Sequence, residues 1–291
     1  MILVVGSTGS LGSEICSGLA GKGKSVRALV RATADQTKVQ QLKSMGVTTV
    51  QGDLRDPDSL KAACQGVDVV LSTVSSLSSY EPAQNDLQTT DIDGTTNLIA
   101  AAQDTGVTRF IYVSFSGNIE RNFPLRNAKR TIEKRLKESK LAYTILRPSY
   151  FMESWLAPMG GFDAANGTAQ VYGTGDQLLS WISRQDVARM AVEYLDNPGT
   201  INATIEMGGP EALSPQQVIK IFEQIGGQAF EVTHVPAEVL QAQMEEAEDP
   251  IQQSVAGLML CYADGDPIDA SEFLPAPTVS VKDYARQVLG K

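Results

Sequence analysis

The sequence is poor in the residue types that build metal sites and nucleophilic sites. It contains one histidine, His234, and three cysteines, Cys16, Cys64 and Cys261. A histidine-based zinc site or a Ser-His-Asp triad would depend on His234 alone. The cysteines are odd in number and widely spaced, which fits neither a disulfide framework nor a metal cluster. We therefore expect no metal and a reducing, cytoplasmic environment.

Basic charge and long apolar runs are also scarce. The 291 residues include 24 Lys and Arg against 34 Asp and Glu, so the formal net charge is -10. A chain of this charge repels polyanions such as DNA and acidic membrane surfaces. No apolar run reaches the roughly 18 residues of a membrane span, and no charged-then-apolar leader opens the chain. We expect no nucleic-acid binding, no membrane insertion and no secretion.

The most basic stretch, residues 121–140, has an amphipathic pattern. Its cations alternate with Ile132, Leu136 and Leu141 at helical spacing. This pattern is typical of a helix with one solvated basic face, and we interpret most of these cations in that way.

What the sequence does contain, at its start, is an apolar strand, a glycine-rich turn and a helix. In a dinucleotide-binding turn, the first glycine allows a sharp bend and the second lets backbone N–H groups approach a pyrophosphate. The third allows close helix packing, and the helix N-terminus faces the phosphates. An ordinary tight turn is the alternative, but the spacing behind an apolar strand favours a dinucleotide. The residues expected to contact it are Gly6, Ser7, Thr8, Gly9, Ser10, Leu11 and Gly12.

Short apolar strands and helix-like stretches alternate through the first half of the chain, including a long helical pattern from about Asn85 to Thr105. This rhythm predicts an α/β fold with a Rossmann-type doubly wound parallel sheet. Ligands of such sheets lie at the carboxyl ends of the strands. The candidate site is therefore formed by the loops after Val5, Val30, Gln51, Leu71, Val113 and Leu146.

The end of the second strand distinguishes between the nicotinamide cofactors. NAD-preferring proteins have an acidic residue there for the ribose 2′-hydroxyl, whereas this chain has Arg31. A cation favours a 2′-phosphate, so we predict NADPH/NADP+ over NADH. The alternative is that Arg31 is an ordinary surface arginine at a strand end. Asp35 is also close enough in sequence to be taken for the acidic residue of an NAD-preferring protein. Asp35 is better suited to begin the next helix.

Further cofactor contacts are expected from the loops at the same sheet edge. Asp53 could accept a hydrogen bond from the adenine amino group. The alternative is that Asp53 begins the next helix, although Asp56 already suits that role. Other predicted contacts are Leu54 beside it, then Thr73, Val74 and Ser75 after the fourth strand, and Pro148, Ser149, Tyr150 and Phe151 beside the nicotinamide.

Beyond Pro148 the strand-helix rhythm loosens, and turn signals appear at Gly160-Gly161 and Asn166-Gly167. We predict an NADP(H)-binding Rossmann domain over residues 1–150. A smaller C-terminal α/β cap for the substrate is expected over residues 151–291, partly interleaved with the first domain.

Several motifs, taken in order, resemble one known family. They are Gly6-x-x-Gly9-x-x-Gly12, Gly52-Asp53-Leu54, Val113-Ser114, Lys129 with Glu133, Tyr143-Thr-Ile-Leu-Arg-Pro148-Ser-Tyr-Phe-Met-Glu153 and Ile182-Ser-Arg-Gln-Asp186-Val-Ala188. Over its first two thirds the chain resembles the NmrA-like atypical short-chain dehydrogenase/reductases. The resemblance implies an NADPH-binding Rossmann domain. It also implies kinship with quinone oxidoreductases, triphenylmethane-dye and azo reductases, isoflavone reductases, and redox-sensing regulators without catalysis.

The resemblance also implies roles for a few residues. The broader superfamily pairs its active-site lysine with a tyrosine four residues earlier, but the residue four before Lys129 is Leu125, so the usual proton donor is absent. Lys129 is expected at the nicotinamide ribose, Ser114 could orient a substrate oxygen, and Tyr150 is nominated as a substitute acid. The alternatives are a solvated lysine paired with Glu133, a serine that caps a strand end, and a tyrosine packed in the core.

Two functions follow as hypotheses. In the first, an NADPH-dependent oxidoreductase transfers hydride to a small conjugated or aromatic, quinone-like acceptor, which needs little acid catalysis. In the second, a regulatory or assembly protein of the same fold senses NADP(H) for a protein partner without turnover. We favour the enzyme. Candidate acceptor-lining residues, with core packing as the alternative, are Phe115, Tyr150, Trp155, Met159, Phe162 and Trp181.

Overall fold

Short strands alternate with helices along the chain, which the structure, a computed structural model, describes over residues 1–78, 86–269 and 275–291. The strands are β1 (Ile2–Val5), β2 (Val26–Val30), β3 (Thr48–Gln51), β4 (Val69–Ser72), β5 (Arg109–Val113), β6 (Ala142–Pro148), β7 (Phe162–Asp163), β8 (Thr168–Tyr172), β9 (Ala203–Met207) and β10 (Glu231–Val235). The α-helices are α1 (Ser10–Gly21), α2 (Gln36–Ser44), α3 (Pro57–Cys64), α4 (Thr95–Asp104), α5 (Pro124–Glu138), α6 (Met152–Trp155), α7 (Arg184–Tyr194), α8 (Pro215–Gly226), α9 (Ala237–Glu246), α10 (Pro250–Asp264) and α11 (Val281–Leu289).

Seven strands form one sheet in the order β3-β2-β1-β4-β5-β6-β9. The pairings of β1 with β2 and β4, and of β5 with β4 and β6, are parallel. Strands β1 and β5 are buried along their whole length, because helices cover such a sheet on both faces. The strand order reverses between β1 and β4, and the carboxyl ends of strands at such a point form the usual ligand crevice. The predicted Rossmann-type α/β fold is confirmed.

A smaller mixed sheet has the order β10-β8-β7. Strand β10 runs parallel to β8, whereas β7 is antiparallel to β8. The predicted smaller C-terminal α/β cap therefore contains a sheet that is separate from the seven-stranded one.

The chain divides into two compact units, each assembled from separate segments. The first contains Met1–Ser114, Pro124–Arg147 and Ala191–Ile205; the second contains Phe115–Phe123, Pro148–Met190 and Glu206–Lys291. The core of the first is rich in aliphatic side chains from the parallel strands, including Leu3, Val70 and Ile145. The core of the second is rich in aromatic side chains, including Trp181 and Phe222. The cofactor and substrate roles assigned to the two predicted domains remain predictions.

The helix starts follow local sequence signals. Asp35 is the N-cap of α2 and accepts a hydrogen bond from Thr37 N, and Asp56 caps α3 in the same way. The helix-start interpretations of these two aspartates are confirmed. In the described parts of the chain, no helix is long and apolar enough to cross a membrane.

One predicted helix differs from its expected form. The predicted pattern begins near Asn85, which lies outside the described residues. From Leu87 to Gly94 the backbone is a π-helix that leads directly into α4. Periodicity cannot distinguish a π-helical turn from an α-helical one over so short a stretch.

Candidate functional site

The turn between β1 and α1 is shaped by its glycines. Gly6 has a φ of +84°, and a Cβ there would lie 2.5 Å from Thr73 Oγ1. A Cβ on Gly12 would overlap the carbonyl oxygen of Gly6, so Gly12 packs against the turn itself. Gly9 is the N-cap of α1, and the first-turn N–H groups of a helix have no intrahelical acceptor. This arrangement suits the binding of an anion at the helix N-terminus.

The remaining residues of the turn divide between core and surface. The buried Ser7 hydroxyl donates to Leu29 O of β2 at 2.8 Å, which fixes the turn to the sheet. Gly9 and Ser10 are exposed, whereas Thr8 and Leu11 are half-buried. The turn therefore has a rigid base and an accessible rim, and the predicted contacts of these residues with a cofactor remain predictions.

Arg31 and Asp53 follow neighbouring strands, β2 and β3. The Asp53 carboxylate accepts from Arg55 Nε at 2.9 Å and from Arg55 Nη2 at 2.6 Å. These hydrogen bonds lower the pKa of Asp53, and the positive charge of the half-buried Arg31 adds to the effect. Arg31 is therefore close enough to Asp53 to interact with it electrostatically. The predicted contact of Asp53 with adenine remains a prediction.

Lys129 lies on α5 with its side chain buried and only 4% exposed. Its Nζ donates to Val74 O at 2.9 Å and lies 3.5 Å from Asp91 Oδ1 and 5.2 Å from the centroid of the Tyr112 ring. Burial lowers the pKa of Lys129, and the Asp91 carboxylate opposes this effect. The alternative of a solvated lysine paired with Glu133 is wrong, because α5 turns this side chain into the core.

Glu133, one turn further along α5, has partners of its own. It accepts from Ser114 Oγ and Arg130 Nη1, each at 2.6 Å, and Arg147 binds both of its carboxylate oxygens. Burial favours a raised pKa for Glu133, but the hydrogen bonds from Arg147 and Ser114 outweigh it and hold the pKa below its usual value. Ser114 is therefore bound to a carboxylate, and its role in orienting a substrate oxygen remains a prediction.

The residues predicted beside the nicotinamide belong to the second unit, where two of them have partners within that unit. The Ser149 hydroxyl donates to Asp266 Oδ2 at 2.6 Å. Tyr150 is 3% exposed, its hydroxyl donates to Leu258 O at 3.1 Å, and its ring packs edge-on against Trp155. Burial raises the pKa of Tyr150 well above its usual value. These contacts match the core alternative and give the nomination of Tyr150 as an acid no support.

Most of the large side chains predicted to line an acceptor site pack in the core of the second unit. Trp181 is fully buried and its indole N–H donates to Leu213 O at 2.9 Å. Phe162 packs against Phe222 with ring centroids 4.7 Å apart. Met159, in contrast, is 96% exposed. The core alternative therefore accounts for Phe162 and Trp181.

The sequence prediction misses Asp91 and Tyr112, whose side chains lie beside the Lys129 ammonium. A usable signal existed for Asp91, because it lies four residues after Leu87 and seven before Leu98, on the apolar face of the helical pattern. A carboxylate on such a face must be paired if it is buried. The strand position of Tyr112 carries no comparable signal.

Comparisons with known proteins place the chain in a family. The model of the NmrA-like family matches residues 1–279. An NAD(P)H azoreductase of Xenophilus azovorans is 31% identical over 262 residues, which are 89% of this chain and 85% of that protein. The photosystem II assembly factor Ycf39 of Trieres chinensis is 31% identical over 238 residues, 81% of this chain and 72% of that protein.

Among solved structures, an NADPH-dependent quinone oxidoreductase of Escherichia coli in complex with NADPH has the same fold. It matches with a TM-score of 0.80 and 23% identity over 99% of both chains. The seven-stranded parallel sheet, the glycine turn and the match of the family model over nearly the whole sequence lead to one conclusion: the chain belongs to the NmrA-like family.

Proposed function

We propose that the chain is an NADPH-dependent oxidoreductase that transfers hydride to a small conjugated or aromatic, quinone-like acceptor. The observation that carries the proposal is the connection between the glycine turn and Lys129 in the first unit. Gly6 packs against Thr73, and the next residue, Val74, accepts the hydrogen bond from Lys129. A buried ammonium is thereby held beside the switch point between β1 and β4.

The residues of the first unit fit NADPH. The main-chain N–H groups at the start of α1 suit a pyrophosphate, and Arg31 at the end of β2 suits a 2′-phosphate. Lys129 can donate hydrogen bonds to ribose hydroxyls, and bound NADPH supplies the hydride. The names of two relatives, an NAD(P)H azoreductase and an NADPH-dependent quinone oxidoreductase, support this assignment.

The surroundings of Lys129 favour an acceptor that needs little acid catalysis. Leu125, at the position of the usual tyrosine, is a buried apolar side chain. Reduction of a quinone-like acceptor gives a stabilised oxyanion that water can protonate, so correct positioning supplies much of the rate.

NADPH oxidation with a panel of benzoquinones, naphthoquinones and azo dyes tests the proposal. We expect steady oxidation with at least one acceptor, and a loss of about 100-fold in kcat/KM in Lys129→Met, because the charged donor for the ribose hydroxyls is lost. Lys134→Met is the matched control, because Lys134 is on the same helix and 76% exposed. It should retain the wild-type rate within about twofold. Equal rates in the two variants would contradict the role of Lys129.

A second candidate function is the sensing of NADP(H) without turnover, by a protein that regulates or assembles other proteins. The absence of a tyrosine four residues before Lys129 and the 31% identity to a photosystem II assembly factor favour it. NADPH binding without oxidation by any acceptor of the panel would support this function over the enzyme.

A further inference from the structure

Asp91 is a buried carboxylate in the π-helical segment before α4. It is 1% exposed, and its Oδ2 accepts a hydrogen bond from Ser76 N at 2.9 Å. Its Oδ1 lies 3.5 Å from Lys129 Nζ and has no hydrogen-bond partner among the described residues. Burial of a carboxylate costs free energy unless a charge or hydrogen bonds compensate for it. The placement of Asp91 therefore requires an explanation.

The local backbone holds Asp91 in place. The Asp86 side chain caps the π-helical segment by accepting from Thr89 N at 2.7 Å. At the other end, a Cβ on Gly94 would lie 2.7 Å from Leu54 Cβ, so the segment packs closely on the loop after β3. Short π-helical turns occur frequently at functional sites, because they change the direction of side chains within a helix.

Among the residues that the structure describes, four elements face the Lys129 ammonium. The loop after β4 contributes the Val74 carbonyl, and β5 contributes the Tyr112 ring. Helix α5 itself contributes Glu133, which is already bound by Ser114, Arg130 and Arg147. The π-helical segment contributes Asp91. Within the described ranges, Asp91 is thus the carboxylate that forms an ion pair with Lys129.

We propose that Asp91 is a positioning residue for Lys129, an assignment that rests on the function proposed above. The Asp91 carboxylate, fixed by the Ser76 N–H, holds the Lys129 ammonium beside Val74 O and keeps it charged although it is buried. Asp91 acts through Lys129, so its loss should change the protonation and the placement of that amine. The adjacent Tyr112 ring stabilises the same cation through its π face.

The titration of Lys129 in the ligand-free protein tests the proposal directly. NMR of protein with ¹³C-labelled lysine follows each amine, and the signal missing in Lys129→Met identifies Lys129. We expect Asp91→Asn to move the titration midpoint of Lys129 to lower pH, because a compensating negative charge is removed. Asp93→Asn is the matched control, since Asp93 lies in the same segment but is exposed and pairs with Gln88. An unchanged midpoint in Asp91→Asn overturns the proposal.

NADPH affinity connects this titration to the site. At neutral pH we expect Asp91→Asn to bind NADPH about tenfold more weakly than the wild type, as one charge-assisted hydrogen bond disappears. If the wild type binds no NADPH at any pH, the proposed function fails. A lowered Lys129 midpoint in Asp91→Asn would still support the assignment of Asp91 in that case.

A double variant covers the case in which Asp91→Asn does not fold. Loss of one member of a buried ion pair leaves the other charge uncompensated, whereas loss of both members does not. The double variant Asp91→Asn/Lys129→Met should therefore give a cooperative melting transition even where Asp91→Asn alone gives none. If Lys129→Met does not rescue the variant, the pairing is refuted.

Discussion

Two buried charge clusters lie side by side on α5, and each is completed by residues from other elements. Glu133 is neutralised by Arg130 and by Arg147 of β6, while Lys129 is compensated by Asp91. Helical spacing offers, as the alternative interpretation of Lys129, a solvated lysine paired with Glu133. That local pair does not form, because buried charges need close partners with fixed geometry, and the tertiary partners supply it.

Glu133→Gln should lower the free energy of unfolding by about 3 kcal/mol, since it leaves two guanidiniums without their carboxylate. Urea denaturation at neutral pH measures the effect. Glu138→Gln is the control, because Glu138 is on the same helix and 64% exposed. Its change should stay within about 0.5 kcal/mol. Equal losses of stability in the two variants would contradict the contribution assigned to the ion pairs of Glu133 with Arg130 and Arg147.

The same variant has a predictable pH dependence. The pKa of Glu133 is lower in the folded protein than in the unfolded chain. Its contribution to stability is therefore present at neutral pH and is lost as the pH falls through the folded-state pKa. The stability difference between wild type and Glu133→Gln should narrow in acid. A difference that widens in acid would contradict the assigned pKa direction.

The β1-α1 turn is the element on which cofactor binding depends. Its form could be predicted because glycine spacing is local: Gly6 needs a positive φ and Gly12 packs on the Gly6 carbonyl. The π-helical segment from Leu87 to Gly94 could not be predicted. Its backbone depends on close packing between Gly94 and Leu54, which are distant in the sequence.

Gly12→Ala should destabilise the protein by about 2 kcal/mol and weaken NADPH binding, because the new Cβ overlaps the Gly6 carbonyl oxygen. Gly21→Ala is a matched control at the other end of α1, where a Cβ meets nothing within 4 Å. That change should be neutral or stabilise the protein by about 0.5 kcal/mol. Thermal melting and NADPH titration of both variants measure the effects. Wild-type NADPH affinity in Gly12→Ala would refute the role of the turn.

For the molecule as a whole, the sequence predicts the strands of the parallel sheet well. It predicts less well which aromatic residues of the second unit belong to its core. Strands such as β1 and β5 are continuously apolar because they are covered on both faces, and that signal is visible in sequence. The aromatic residues nominated for an acceptor site carry no such signal. Tyr150 and Trp181 pack with Tyr262, more than eighty positions away, so composition alone could not separate core from site.

Calorimetric titration of the wild type and Arg31→Ala with NADPH and NADH tests the central claim most directly. We expect the wild type to bind NADPH more tightly than NADH. Arg31→Ala should lose at least about tenfold in NADPH affinity, with little change for NADH, because only NADPH has the 2′-phosphate that the guanidinium binds. Absence of binding for both nucleotides in the wild type would contradict the account.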